Sequence, residues 1–132
     1  MMSLAGLPAF LLYLATAAGL TGLYLAIYTL ATAHNELALI RRDVTAASVA
    51  LGGSLVGFGL PLSAAISQAG SLLDCLVWGL VALMVQIAIY WLVRLAVPDL
   101  SRRIAEDRIA AAVLLGAASV AGGLLNAAAM TE

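Results

Sequence analysis

Four stretches of this chain carry no formally charged side chain: residues 1–33, 44–73, 75–93 and 109–131. All six basic residues are arginines, and all lie between Arg41 and Arg108; lysine is absent. A helix needs about 20 consecutive, mostly apolar residues to cross the hydrocarbon core of a bilayer. The charge-free stretches have that length, so the sequence predicts an all-α integral membrane protein with four spans. Arginines near span ends stay on the cytoplasmic face. Both charged connectors are therefore placed inside and both termini outside.

Composition closes off other classes. Of the 132 residues 10% are charged and 64% are hydrophobic, against about 25% charged in a soluble domain. The net charge of −1 supplies no basic stripe for nucleic acid. With one cysteine, Cys75, no intrachain disulfide and no C-x-x-C redox pair can form. No positive residue precedes the first apolar stretch, which is also longer than the apolar region of a signal peptide. Ala31-Thr32-Ala33 is accordingly read as part of a retained span.

The spans are expected near 8–33, 44–67, 72–97 and 107–130. Tyr90, Trp91 and Trp78 are assigned to the aromatic belts at the two membrane surfaces. Ser67-Gln68-Ala69-Gly70-Ser71 makes a tight turn joining spans 2 and 3. Shifting span 2 by 64 residues lays it on span 4, with 11 identities in 23 positions that include Asp43 on Asp107, Gly52 on Gly116 and Gly59 on Gly123. This repetition divides the chain into two tandem two-helix hairpins of one orientation, 1–67 and 68–132. Parallel repeats of this kind are a transporter device.

Each polar residue admits two readings. Asp43 and Asp107, where connectors enter spans 2 and 4, either cap helix N-termini or form a cation or proton site. Asp74 either completes a capping box with Ser71 or acts as an acid inside a span. Gln86 and Asn126 either hydrogen-bond between helices or line a polar path. Arg102, Arg103, Glu106, Asp107 and Arg108 form a charged connector, with i,i+4 pairs expected for 102 with 106 and 103 with 107. With Leu100 and Ile104, that segment is expected to extend span 4 as an amphipathic turn or two whose arginines meet lipid headgroups. Arg94 is placed to snorkel to the inner surface. His34, Asn35 and Glu36 crown the inner end of span 1 and are too few for a metal site. Gly53-x-x-x-Gly57, Ala112-x-x-x-Gly116 and Ser119-x-x-x-Gly123 allow close helix approach, within one subunit or between subunits. Pro61, beside Gly57 and Gly59, removes a helix hydrogen bond and predicts a hinge in span 2. No catalytic constellation and no cofactor motif is present. The chain reads as non-enzymatic, with membrane lipids and further copies of itself as partners.

His34-Asn35-Glu36, Leu39-Ile40, Thr45-Ala46-Ala47-Ser48, Pro61-Leu62-Ser63, Asp74, Trp78-Gly79, Gln86, Arg94, Gly122-Gly123 and Asn126-Ala127-Ala128 together resemble the YjfL-type family of bacterial inner-membrane proteins, a domain of unknown function. The resemblance covers almost the whole chain. It implies four spans built of paired helices and a membrane-stress setting with cytoplasmic stress proteins as neighbours. It implies no established activity, and it raises the interest of Asn35, Glu36, Asp74, Gln86, Arg94 and Asn126.

Overall fold

The computed structural model describes residues 6–31 and 36–131. Six helices account for nearly all of them: α1 (Leu7–Ala31), α2 (Glu36–Arg41), α3 (Thr45–Gln68), α4 (Leu72–Ala96), α5 (Leu100–Ala105) and α6 (Ile109–Met130). No strand occurs among the described residues. Four of the helices, α1, α3, α4 and α6, are long and apolar enough to cross a membrane. At 22 to 25 residues each and about 1.5 Å of rise per residue, they exceed the roughly 30 Å of hydrocarbon. In hydrocarbon every backbone N–H and C=O needs an internal partner, and the helix supplies it. The hydroxyls of Thr16 and Thr21 in α1 follow the same rule, donating to the carbonyls of Leu12 and Ala17 at 2.8 and 2.9 Å.

The helices differ sharply in burial. Within α3, 44% of the apolar window is buried, against 11% for α1, so α3 is central and α1 peripheral. The most extensive contact in the molecule joins α3 to α6, and α4 packs on both. Bulky side chains such as Met84, Leu92, Leu95 and Leu125 point outward, as lipid-facing residues must.

Two boundaries depart from the sequence reading. Span 4 starts at Ile109, not 107, and the amphipathic extension is a separate helix, α5. The break has a defined geometry. Asp107 takes a left-handed conformation, φ 61°. Its N–H donates to the Ile104 carbonyl at 3.0 Å, and that of Arg108 to the Arg103 carbonyl at 2.8 Å. This is the two-bond Schellman closure of a helix. The α2 end repeats it 64 residues earlier: Asp43 has φ 61°, and the bonds run Asp43 to Ile40 at 2.9 Å and Val44 to Leu39 at 3.0 Å. Leu39, Leu100 and Ile104 are buried, which pins both short helices to the bundle.

Tyr90 lies in the core, not in an aromatic belt. Tyr24, Tyr28 and Tyr90 are at most 1% exposed. Tyr24 stacks on Phe58 with ring centres 4.6 Å apart, and Tyr28 meets Tyr90 edge-on at 5.5 Å. These rings fill the space that the small side chains of α3 leave beside α1 and α4. Trp78 and Trp91 are exposed, as belt residues are.

Candidate functional site

The seam between α3 and α6 is built from glycine. A methyl group placed on Gly53 would fall on the Cα of Gly116, one on Gly57 on the Ser119 carbonyl oxygen, and one on Gly123 on the Gly57 carbonyl oxygen. The same vectors are Cα–H bonds in the real molecule. Gly57 therefore points a Cα hydrogen at the Ser119 oxygen, and Gly123 points one at the Gly57 oxygen. Such contacts recur where helices pack closely. Pro61 gives the second of them its purpose: lacking an N–H, it leaves the Gly57 carbonyl without the usual helix donor. Gly123 faces that oxygen. The small-xxx-small patterns thus meet inside one chain. Gly57 and Pro61 are buried, Gly59 is exposed, and α3 runs through all three without interruption.

Gln86 and Asn126 fasten α4 to α6 from opposite sides. Gln86 Nε2 donates to the Ser119 carbonyl at 3.1 Å, and Asn126 Nδ2 donates to the Ala82 carbonyl at 3.4 Å. Both side chains are buried, at 1% and 9% exposure. The amides therefore serve as interhelical bonds in the isolated chain. Gln86 Oε1, with Ser54 Oγ and Tyr90 Oη, is buried without a hydrogen-bond partner among the described residues. Ser54 carries no sequence signal that separates it from the other small residues of α3, and only the packing singles it out.

The two connector aspartates part company. Asp107 Oδ1 accepts from the Ala46 backbone N–H at 2.8 Å. It caps the first turn of α3, not of its own helix α6, whose N-cap position is taken by Arg108 without a side-chain bond. Asp43 is exposed, and no side-chain hydrogen bond of its carboxylate occurs among the described residues. The i,i+4 ion pairs expected along this connector are replaced. Because α5 ends at Ala105 and Asp107 turns away, Arg102 pairs with Asp99 at 3.2 Å and Arg108 with Glu106 at 3.4 Å. All four are exposed, where such pairs contribute at most about 1 kcal/mol. Arg103 is half-buried in α5.

At the far end, Ser71 Oγ accepts from the Asp74 N–H at 3.1 Å, and Asp74 Oδ2 accepts from the Gly70 N–H at 3.1 Å. Ser71 thus caps the start of α4, and Asp74 reaches back one residue past it, to Gly70, in a variant of the capping box. It also lines a cavity of about 190 Å³ with Ala65, Gln68, Trp78 and Met130. Arg94 lies over the Trp91 ring, 4.8 Å from its centre, a cation–π contact at the membrane surface. His34 and Asn35 lie outside the described residues, as does the side chain of Glu36. Among the described residues no three potential metal ligands converge.

The sequence profile of the family described as Domain of Unknown Function (DUF350) matches residues 1–130. The chain belongs to the DUF350 family. Curated relatives include the UPF0719 inner membrane protein YjfL of Escherichia coli strain K12 and its counterpart in Escherichia coli O157:H7. Each is 42% identical over 125 residues, covering 95% of both chains. No solved structure matches. A DUF350 chain with four apolar helices, related to inner-membrane proteins, is a multi-pass protein of that membrane. The names of these relatives assign no activity.

Proposed function

We propose that this protein is a non-enzymatic membrane module of two tandem repeats, 1–67 and 68–132, that self-associates and encloses a narrow path for ions or small solutes. One observation carries the reading: the bundle is wedge-shaped in composition. The glycine contacts of the seam draw α3 and α6 together, whereas α1 and α4 present leucines, tyrosines and tryptophans. Interaxial distance follows the side chains at the contact, so a row of such units curves with α3 and α6 on the inside. That inner side is an open apolar groove of about 490 Å³, flanked by Val49, Val113, Val120 and Leu124. A path lined this way is a hydrophobic constriction, which gates by wetting and drying. It does not run past Gln86 or Asn126, which are occupied between helices. The arginine-rich connectors face the cytoplasm in this reading. The test is native mass spectrometry from nanodiscs together with ion flux into proteoliposomes. Oligomers, with flux above that of protein-free vesicles, are expected. A strictly monomeric protein that passes neither common cations nor common anions overturns the proposal.

A second reading, a scaffold for cytoplasmic membrane-stress proteins, is favoured by the connectors themselves. Arg41, Arg42, Arg102 and Arg108 are all exposed on or beside the short helices α2 and α5. Neutralising Arg102, Arg103 and Arg108 together should then abolish partner capture and leave assembly intact. Undiminished capture removes the mechanism.

A further inference from the structure

The two helices of the seam do not meet through matching faces. Gly53 of α3 meets Gly116, and Gly57 meets Ser119 and Gly123. Subtracting the repeat offset of 64, the α6 residues correspond to Gly52, Leu55 and Gly59 of α3. On a helix at about 100° per residue, Gly52 and Gly59 lie well round the barrel from Gly53 and Gly57. So α3 uses one face and α6 a different one. Each helix is left with the face that its counterpart has buried. On α3 that face holds Ser48, Gly52 and Gly59, all exposed, where a methyl on either glycine would meet nothing within 4 Å, while Leu55 between them is half-buried against the core. On α6 it holds Ala110, Ala117 and Ala121, also exposed; Ala117 and Ala121 border the groove beside the seam as well, so the contact between copies would adjoin the path.

The connectors give an independent sign. Inside the chain, the Asp107 carboxylate accepts the Ala46 N–H across the seam. The counterparts of that pair are the Asp43 carboxylate and the Ala110 N–H. Both are left open among the described residues: Ala110 is on the unused face of α6, and Asp43 sits in the turn just before α3. Asp43 is held in the identical left-handed turn, φ 61° like Asp107.

We infer that the Ser48–Gly52–Gly59 face of α3 receives the Ala117–Ala121 face of α6 from a second copy of this chain, with Asp43 of one copy capping the Ala110 N–H of the other. The inference deepens the self-association proposed above and rests on it. It makes the contact head-to-tail, an extension of the internal seam and not a two-fold dimer. The internal partners differ from each other's counterparts by only one or two positions along the helix (53 against 52, 57 against 55 and 59). The step therefore has almost no rise, and repeating it keeps every helix at one membrane depth. A head-to-tail contact without rise closes into a ring when its rotation divides a full turn. Ala117 and Ala121 stand where α3 has Gly53 and Gly57, so the contact between copies is looser than the internal one.

The test is cysteine cross-linking of the full chain in native membranes, in a Cys75→Ser background. Gly52→Cys on one copy and Ala117→Cys on another are combined, and the double variant is run alone. The expected results are a mixed disulfide dimer from the two single variants and a ladder of dimer, trimer and higher species from the double variant. Adding Gly59→Leu should cut the ladder at least tenfold. Two results overturn the inference: no 52–117 cross-link although native mass spectrometry shows oligomers, or efficient dimers from Gly52→Cys alone. In both, self-association survives and only the interface is wrong. A monomer in the bilayer overturns both proposals together.

Discussion

Replacing one glycine by alanine should have opposite effects on stability at Gly123 and Gly52, although the chemical change is the same. At Gly52 the new methyl meets nothing within 4 Å in the isolated chain. What remains is the gain in helix propensity, about 0.5–1 kcal/mol. At Gly123 the methyl falls on the Gly57 carbonyl oxygen and lies 2.9 Å from its carbon and 3.0 Å from its Cα. Those are backbone atoms of a buried helix and cannot swing aside. The helices must separate, and overpacking of this kind costs about 1–3 kcal/mol. The lost Cα–H contact to an oxygen already deprived of its helix donor by Pro61 adds about 0.5–1 kcal/mol. Set against the propensity gain, Gly123→Ala should destabilise by about 1–3 kcal/mol. The propensity gain is common to both, so the two variants differ by roughly 1.5–4 kcal/mol, a factor of more than ten in the unfolding equilibrium. The assay is reversible unfolding in mixed micelles under monomeric conditions, followed through the fluorescence of Trp78 and Trp91. If Gly123→Ala lies within about 0.5 kcal/mol of Gly52→Ala, the range of an inert surface change, the seam is not held by backbone contact and the reasoning fails.

Gln86→Leu should reduce stability in the same assay by about 0.6–2 kcal/mol, the value of an interhelical bond in a bilayer, and leave flux unchanged; lost flux with unchanged stability would make Gln86 a path residue. Asp107→Ala removes the cap on Ala46 and should cost about 0.5–2 kcal/mol, whereas Asp43→Ala should cost markedly less in monomeric conditions; equal costs would show that Asp43 has an acceptor's role within the chain. Ser71→Ala should destabilise the α4 start by about 1 kcal/mol, visible as faster hydrogen exchange at Asp74 and Cys75, and unaltered exchange there would dismiss the capping box. Tyr24→Ala removes a ring stacked on Phe58 at 4.6 Å from a site that is 1% exposed, and a loss of about 3–5 kcal/mol is expected by the same unfolding measurement; a loss under about 1 kcal/mol would place that ring outside the packed core.

The number of spans was legible because a bilayer imposes a length and a composition that nothing else in the chain satisfies. The family was legible because polar residues such as Asp74, Gln86 and Asn126 are rare in apolar helices and their spacing is specific. What the residues could not tell was which face each helix uses, and the reason is physical. In water, hydrophobic periodicity marks the buried side; here lipid and core are equally apolar, so Gly52 and Gly53, adjacent in sequence and alike in chemistry, carry no label distinguishing the lipid face from the seam. The aromatic residues misled for the same cause: Tyr90 beside Trp91 reads as a belt residue, yet Tyr90 is drawn inward against the ring of Tyr28. The charged connector misled differently. Arg103 and Asp107 have the spacing of a helical ion pair, but an aspartate in a left-handed turn ends a helix, and no composition rule separates that from one that continues it. The repeat is where sequence and structure together say more than either alone. Gly52 and Gly59 are identical to Gly116 and Gly123, yet one pair touches nothing and the other is buried. The head-to-tail contact proposed above gives each pair a use: Gly116 and Gly123 pack inside the chain, and Gly52 and Gly59 would pack between copies.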